Sequence, residues 1–174
     1  MIRNFNGKTP KIADSAFISE AAYIVGDVEI GENSSVWPHA VIRGDTGRIV
    51  IGKNTVVEDG VIIHAGGPDF ELMEIGDMVN IGHSAVIHGE RIGNNVLISM
   101  NATVLQKARI GNYCLIAAGC LVSEGLIVSD NSFVAGVPGK IKGKIAERQS
   151  HWLGDGVLEY AEYGKKYKAE GLGS

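Results

Sequence analysis

Aromatic side chains make up only 6% of the 174 residues. The chain is long enough for one domain with a sizeable core, so that core must be aliphatic. Cysteine is scarcer still. Cys114 and Cys120 are the two present, too few for a disulfide scaffold, which fits a reducing compartment. No stretch approaches the run of about 18 apolar residues that a membrane helix needs. The opening MIRNFNGKTPK has no apolar leader segment. On these grounds the expected location is the cytoplasm. Positive charge is also short: 16 Lys and Arg stand against 20 Asp and Glu, a net charge of −4. With no basic stripe, neither nucleic acid nor an anionic membrane is an expected partner.

Glycine, by contrast, is abundant at 24 residues. Much of it is tied to a six-residue period. Ile12, Ile18, Ile24, Ile30, Val36 and Ile42 are spaced by six. The register slips by three, then resumes at Ile51, Val57 and Ile63, and after a step of twelve at Ile75, Ile81 and Ile87. It loses one residue and continues unbroken through Ile92, Ile98, Val104, Ile110, Ile116, Val122, Val128 and Val134. Every position is Ile or Val. The next residue is often Gly (31, 52, 76, 82, 93, 111), and the fourth is usually small, as at Ala16, Ser34, Thr55, Ala85, Cys114 and Cys120. A period of six is wrong for an α-helix. It suits a short strand plus a tight turn, with one aliphatic pointing inward per flat face. The small residues fit tight corners, and Gly is expected to tolerate the turn backbone. Cys114 and Cys120 therefore read as core.

Three breaks interrupt the period, at Asp45–Val50, Ala65–Glu74 and Gly89–Arg91. Breaks in a repeat usually mark loops. The repeat ends at Gly136-Val-Pro-Gly139. From Lys140 onward the expectation is helical: Ile141, Ile145 and Trp152 share one face. Asp155 is a plausible N-cap for a second run through Val157, Tyr160, Ala161, Gly164 and Tyr167. Residues 1–139 and 140–174 are thus expected to form a β-helix and a helical segment packed on it, in the same domain.

The pattern resembles the hexapeptide-repeat superfamily. That resemblance implies a mainly β fold: a single-stranded, left-handed parallel β-helix with three hexads per coil and a C-terminal α-helix. Residues 12–134 would form about seven coils, roughly 33 Å in length at about 4.8 Å per coil. The left hand, an exception to the usual crossover rule, is implied by the resemblance alone.

Five histidines are present. His39 and His151 are isolated and read as solvated. His64 and His88 each follow a marked aliphatic, and His83 stands second after Ile81. Ile63 and Ile81 are 18 residues apart, so His64 and His83 are expected on nearly matching parts of successive coils, with His88 one corner further on. Three imidazoles on one exterior region are a ligand count suited to a catalytic metal with an open position.

Arg43-Gly-Asp45, Glu58-Asp59-Gly60 with His64, and Ile81-Gly-His83 with His88-Gly89 resemble the γ-class carbonic anhydrase family. The likeness covers nearly the whole chain, including Ser35-Val-Trp-Pro38 and Ala135-Gly-Val-Pro-Gly139. It implies a homotrimer with one metal, Zn2+ or alternatively Fe2+ or Co2+, at each subunit interface. His64 and His88 would come from one subunit and His83 from its neighbour. Arg43, Asp45 and Asp59 would tie subunits together and order the site. Glu58 and Tyr160 are the candidate catalytic groups, Tyr160 resembling a tyrosine that leans over the metal, with a packing role as the alternative. The implied reaction is reversible hydration of CO2 to bicarbonate by a metal-bound hydroxide, whose parent water falls in pKa from about 15.7 to about 7.

Two positions depart from the family. Where most relatives carry Asn-x-Gln-Asp, this chain has Val56-Val57-Glu58-Asp59. Val56 has no polar group, and Glu58 only accepts when ionised. The Asp45–Ile51 stretch is also too short for the acidic proton-shuttle loop of the class prototype, so the chain resembles the short-loop branch. Two other readings remain: a hexapeptide acyltransferase or thioesterase acting on a CoA ester, and a non-catalytic, metal-stabilised trimeric scaffold.

Overall fold

The marked aliphatics form one continuous interior column. In the computed structural model of the chain, which describes residues 1–66, 71–146, 150 and 153–174, all of them from Ile18 to Val134 are buried, and Ile12 is partly so. The small residues four places later are buried with them, Cys114 and Cys120 included. Short parallel strands stack coil upon coil into a β-solenoid of about seven turns. Such a sheet hides one side chain of each strand pair and leaves the other outside.

The solenoid has three outer faces. One carries Val41–Arg43, Ile62–His64, Val86–Ile87, Thr103–Val104 and Leu121–Val122 in register. A second carries Leu72–Ile75, Arg91–Ile92, Arg109–Ile110 and Ile127–Val128. The third runs from Phe17–Ile18 through Ser35–Val36, Val56–Val57, Asn80–Ile81, Leu97–Ile98 and Leu115–Ile116 to Ser132–Ala135.

The corners are built differently from the expectation. Left-handed backbone recurs three places after the aliphatic, at Asn33, Asn54, Asn95, Asn101 and Asn131 among others, and at Gly60, Gly119 and Gly125. Asn tolerates this conformation better than most residues. His39 occupies one such corner, with φ 61°. The glycines directly after the aliphatic serve another purpose. A Cβ on Gly76 would lie 2.8 Å from the Gly93 carbonyl group, and one on Gly93 2.8 Å from the Gly111 carbonyl carbon. They let successive coils touch. Beside them runs a ladder in which Asp77, Asn94, Asn112 and Asp130 each accept the backbone N–H one coil back, at 2.7–2.9 Å.

Two expected boundaries are corrected. Asp45–Val50 is not a loop: Val41–Ile51 is one strand of 11 residues, paired with Tyr23–Ile30 on either side of a register shift that leaves Asp45–Arg48 without partners in that strand. Lys140–Lys144 is not helical. It is an exposed strand, antiparallel to Ser132–Ala135. The four-residue spacing of Ile141 and Ile145 imitates a helix, but the alternation of Lys140, Lys142 and Lys144 is the strand period. Trp152, His151 and Gly67–Asp69 lie outside the described residues. The helix α1 spans Asp155–Ala169, with Gly154 rather than Asp155 at its N-cap.

α1 packs on the third face, where Val157 and Tyr160 meet Phe17, Trp37 and Val56. A Cβ on Gly164 would sit 3.0 Å from that of Phe17, so glycine sets how closely the helix approaches. Beyond α1, Ile18 exchanges backbone hydrogen bonds of 2.9 and 3.0 Å with Ser174, which seats the C-terminal tail along the first coil.

Candidate metal centre

The coil that follows Ile63 is not 18 residues long. Ile63 pairs with Ile87, and Ile81 pairs with Val57 and Ile98. The extra residues between Ala65 and Glu74 lengthen this coil to a 24-residue step. His88, not His83, therefore stacks beside His64, which corrects the expected placement. Arg43 is the register partner of His64 on the other side.

This stacking brings two ring nitrogens together. His64 Nδ1 and His88 Nε2 lie 3.2 Å apart. The edge of a tetrahedral zinc–imidazole site is about 3.3 Å for Zn–N bonds of about 2.0–2.1 Å. The pair thus has the separation of two ligands of a single ion. The other nitrogen of His64, Nε2, is 3.1 Å from Asp45 Oδ1, 3.1 Å from an Arg43 guanidinium nitrogen and 3.2 Å from Thr46 Oγ1. Asp45 only accepts and Arg43 only donates, so Nε2 finds a partner in either tautomer; the one with Nε2–H donating to Asp45 leaves the lone pair on Nδ1, the nitrogen that faces His88. This is the orienting role that carboxylates play behind metal-bound imidazoles. Burial, then the neighbouring His64, holds His88 below the usual histidine range, so its ring favours the neutral form a ligand requires. Thr46 was missed from sequence. Its hydroxyl also donates to the Ala65 carbonyl at 2.9 Å. Its only signal was adjacency to Asp45 in a break of the repeat.

His83 belongs to a separate group, at a corner of the third face. Its Nε2 is 3.1 Å from Glu58 Oε2, and its Nδ1 is 3.1 Å from Asp59 Oδ2. Its backbone N–H donates to the same Glu58 oxygen at 3.0 Å. Glu58 is 5% exposed, a buried carboxylate held by these contacts and by the hydroxyl of Tyr160. The Tyr160 phenol is pushed up to about 12, first by burial and then by Glu58. It remains a proton donor at neutral pH. Its ring also packs edge-on against Trp37 at 5.5 Å, so the packing and site roles coincide. Val56, where relatives carry an amide, is buried against Trp37 and Val157. It is a packing residue.

The structure therefore gathers the candidate residues into two groups: His64, His88, Arg43 and Asp45, with Thr46, and His83, Glu58, Asp59 and Tyr160. Among the described residues of one chain, no three His, Cys, Asp or Glu side chains converge as a metal cage. Nor does any described helix have the length and apolarity to cross a membrane.

Residues 9–44 and 91–124 match the family described as bacterial transferase hexapeptide (six repeats). A protein of Methanocaldococcus jannaschii named "Probable carbonic anhydrase" is 44% identical over 87% of this chain and 94% of its own length. A Geobacillus kaustophilus protein named "Carbonic anhydrase" is 41% identical over 97% of this chain and 92% of its own. Among solved structures, a hexapeptide transferase family protein of Anaplasma phagocytophilum superposes with a TM-score of 0.90. It is 32% identical, with coverage of 96% of this chain and 98% of that one.

Proposed function

We propose a function from this premise: the chain belongs to the γ-class carbonic anhydrase family of hexapeptide-repeat proteins. Our reading is a metalloprotein that hydrates CO2 reversibly at a site completed between subunits of a homotrimer. His64 and His88 of one subunit and His83 of the next would hold a divalent ion, Zn2+ or alternatively Fe2+ or Co2+. The observation that carries this is the 3.2 Å approach of His64 Nδ1 to His88 Nε2, with His83 turned to a different face of the same chain. Two ligands stand ready and the third needs a neighbour.

The bound ion supplies the Lewis acidity that makes water a nucleophile at neutral pH. The chain's own residues do the rest. Asp45 would select the His64 tautomer with its lone pair on Nδ1, and Arg43 sits against the same ring. Both ring nitrogens of His83 face carboxylates within the chain, so as a ligand it would give up one contact and be oriented by the other, to Glu58 or Asp59. Tyr160, protonated at neutral pH, donates to Glu58. Glu58 is thereby kept as an acceptor at a place where relatives carry an amide that also donates. Glu58, in the His83 group, is the carboxylate that would accept a proton there. The cytoplasm is the compartment we assign.

A second reading, an acyltransferase or thioesterase, is favoured by the transferase description of the matched repeats. The test separates the two. Metal is measured per chain in protein purified without air, beside His83→Ala, with sedimentation to give the oligomer and stopped-flow CO2 hydration to give the activity. About one Zn or Fe per chain, lost in the variant, with hydration above buffer, is the expected result. A metal-free, inactive protein that is protected from heat by acetyl-CoA would replace our reading with the second.

A further inference from the structure

A second cleft lies between α1 and the strand Ser35–Val36, with a volume of about 420 Å3. That is within the range of small-molecule sites, about 300–1,000 Å3. It is walled by Trp37, Tyr160, Tyr163 and Tyr167, with Asp59 and Glu159 among them and no basic side chain in its lining. The chain has few aromatics, yet four converge here. Three come from α1, at steps of three and four residues, which places them along one side of the helix.

Tyr160 and Tyr167 each brace Trp37 edge-on, at 5.5 and 5.0 Å between ring centres. Tyr163 is half exposed, and the ammonium of Lys166 lies 5.2 Å from its ring centre. Aromatic faces attract cations, and attract poorly hydrated organic ones most strongly. Glu159 has no basic partner in the lining, and Asp59, 3.1 Å from His83 Nδ1, adds a second carboxylate. Carboxylates alone would favour a hydrated metal ion, and aromatic walls alone any apolar body. Their combination selects a charge spread over an alkyl surface.

We propose that this cleft binds a small organic cation, with a quaternary ammonium head as its best fit. The proposal does not depend on the metal reading, although Asp59 and Tyr160 belong to both places.

Choline is titrated calorimetrically into the full-length chain as purified, beside 3,3-dimethylbutan-1-ol, its neutral isostere, at matched ionic strength. Saturable binding of one choline per chain is expected, with Kd of about 1 mM and no binding of the isostere. Tyr163→Ala and Glu159→Gln, both at exposed positions, should each weaken choline about fivefold or more while the circular dichroism stays unchanged. Either variant alone suffices if the other misfolds. Absence of saturation, equal binding of the isostere, displacement by sodium at equal concentration, or wild-type affinity in both variants would each overturn the proposal. Because the readout is binding, a failed metal assay leaves its outcome unaffected.

Discussion

One oxygen of Glu58 serves His83 twice, accepting from its backbone N–H at 3.0 Å and standing 3.1 Å from its Nε2. Main chain and ring are thus fixed from a single buried carboxylate. Where the resemblance expects an amide, this chain holds a carboxylate that, when ionised, only accepts.

Removing that carboxylate releases the ring. Glu58→Ala is expected to weaken zinc binding by about 10- to 100-fold, the usual cost of losing an orienting partner. Glu58→Gln, which keeps the acceptor for the His83 N–H, should lose less. Competition with a fluorescent chelator measures both. Equal affinity in Glu58→Ala and wild type would show that Glu58 does not position His83.

The metal-free protein should lose stability in mild acid. Burial lowers the His88 pKa in the folded chain, so the unfolded chain binds the extra proton first, near its ordinary pKa of about 6.5. The contribution is present above that value and declines as pH falls below it. Urea midpoints from pH 7.5 to 5 should therefore fall, and fall less steeply in His88→Gln. Parallel slopes would remove His88 as the cause.

Gly76→Ala and Gly119→Asn give opposite results if the two kinds of glycine are distinct. A Cβ at 76 meets the Gly93 backbone, whereas nothing lies within 4 Å of one at 119, where φ is +66°. The first should cost about 1–3 kcal/mol by overpacking. The second should change stability by less than about 1 kcal/mol, since Asn already fills equivalent corners. Thermal melting of both proteins tests the pair.

Burial raises the Cys114 and Cys120 thiols. At pH 8 both should react slowly with a maleimide in the native protein and rapidly in guanidinium, because the thiolate is the reactive form. Fast labelling of either cysteine in the folded state would contradict its place in the core.

The aliphatic column could be read from sequence because each Ile or Val has no other place to go, and the small residues four positions on have the same constraint. The corner residues were less legible. Asn, Gly, Lys and Tyr all occupy the left-handed position, so composition there follows no simple class. The histidines were misplaced for a related reason: counting by 18 ignores the added residues between Ala65 and Glu74, and only strand pairing shows that Ile63 meets Ile87. Once that shift is known, the partnership of His64 and His88 follows. Thr46 carried no pattern at all, because its contact with His64 depends on Val41–Ile51 continuing as a strand past the corner.

A stack of coils has two ends, and each is a row of unpaired peptide groups able to recruit another chain. Here the tail at Ser174 lies along the first coil, while the strand Lys140–Lys144 folds back over the last and turns three lysines outward. On the third face both ends are covered by the chain itself. Another chain cannot add to the stack through that face without displacing one of these segments.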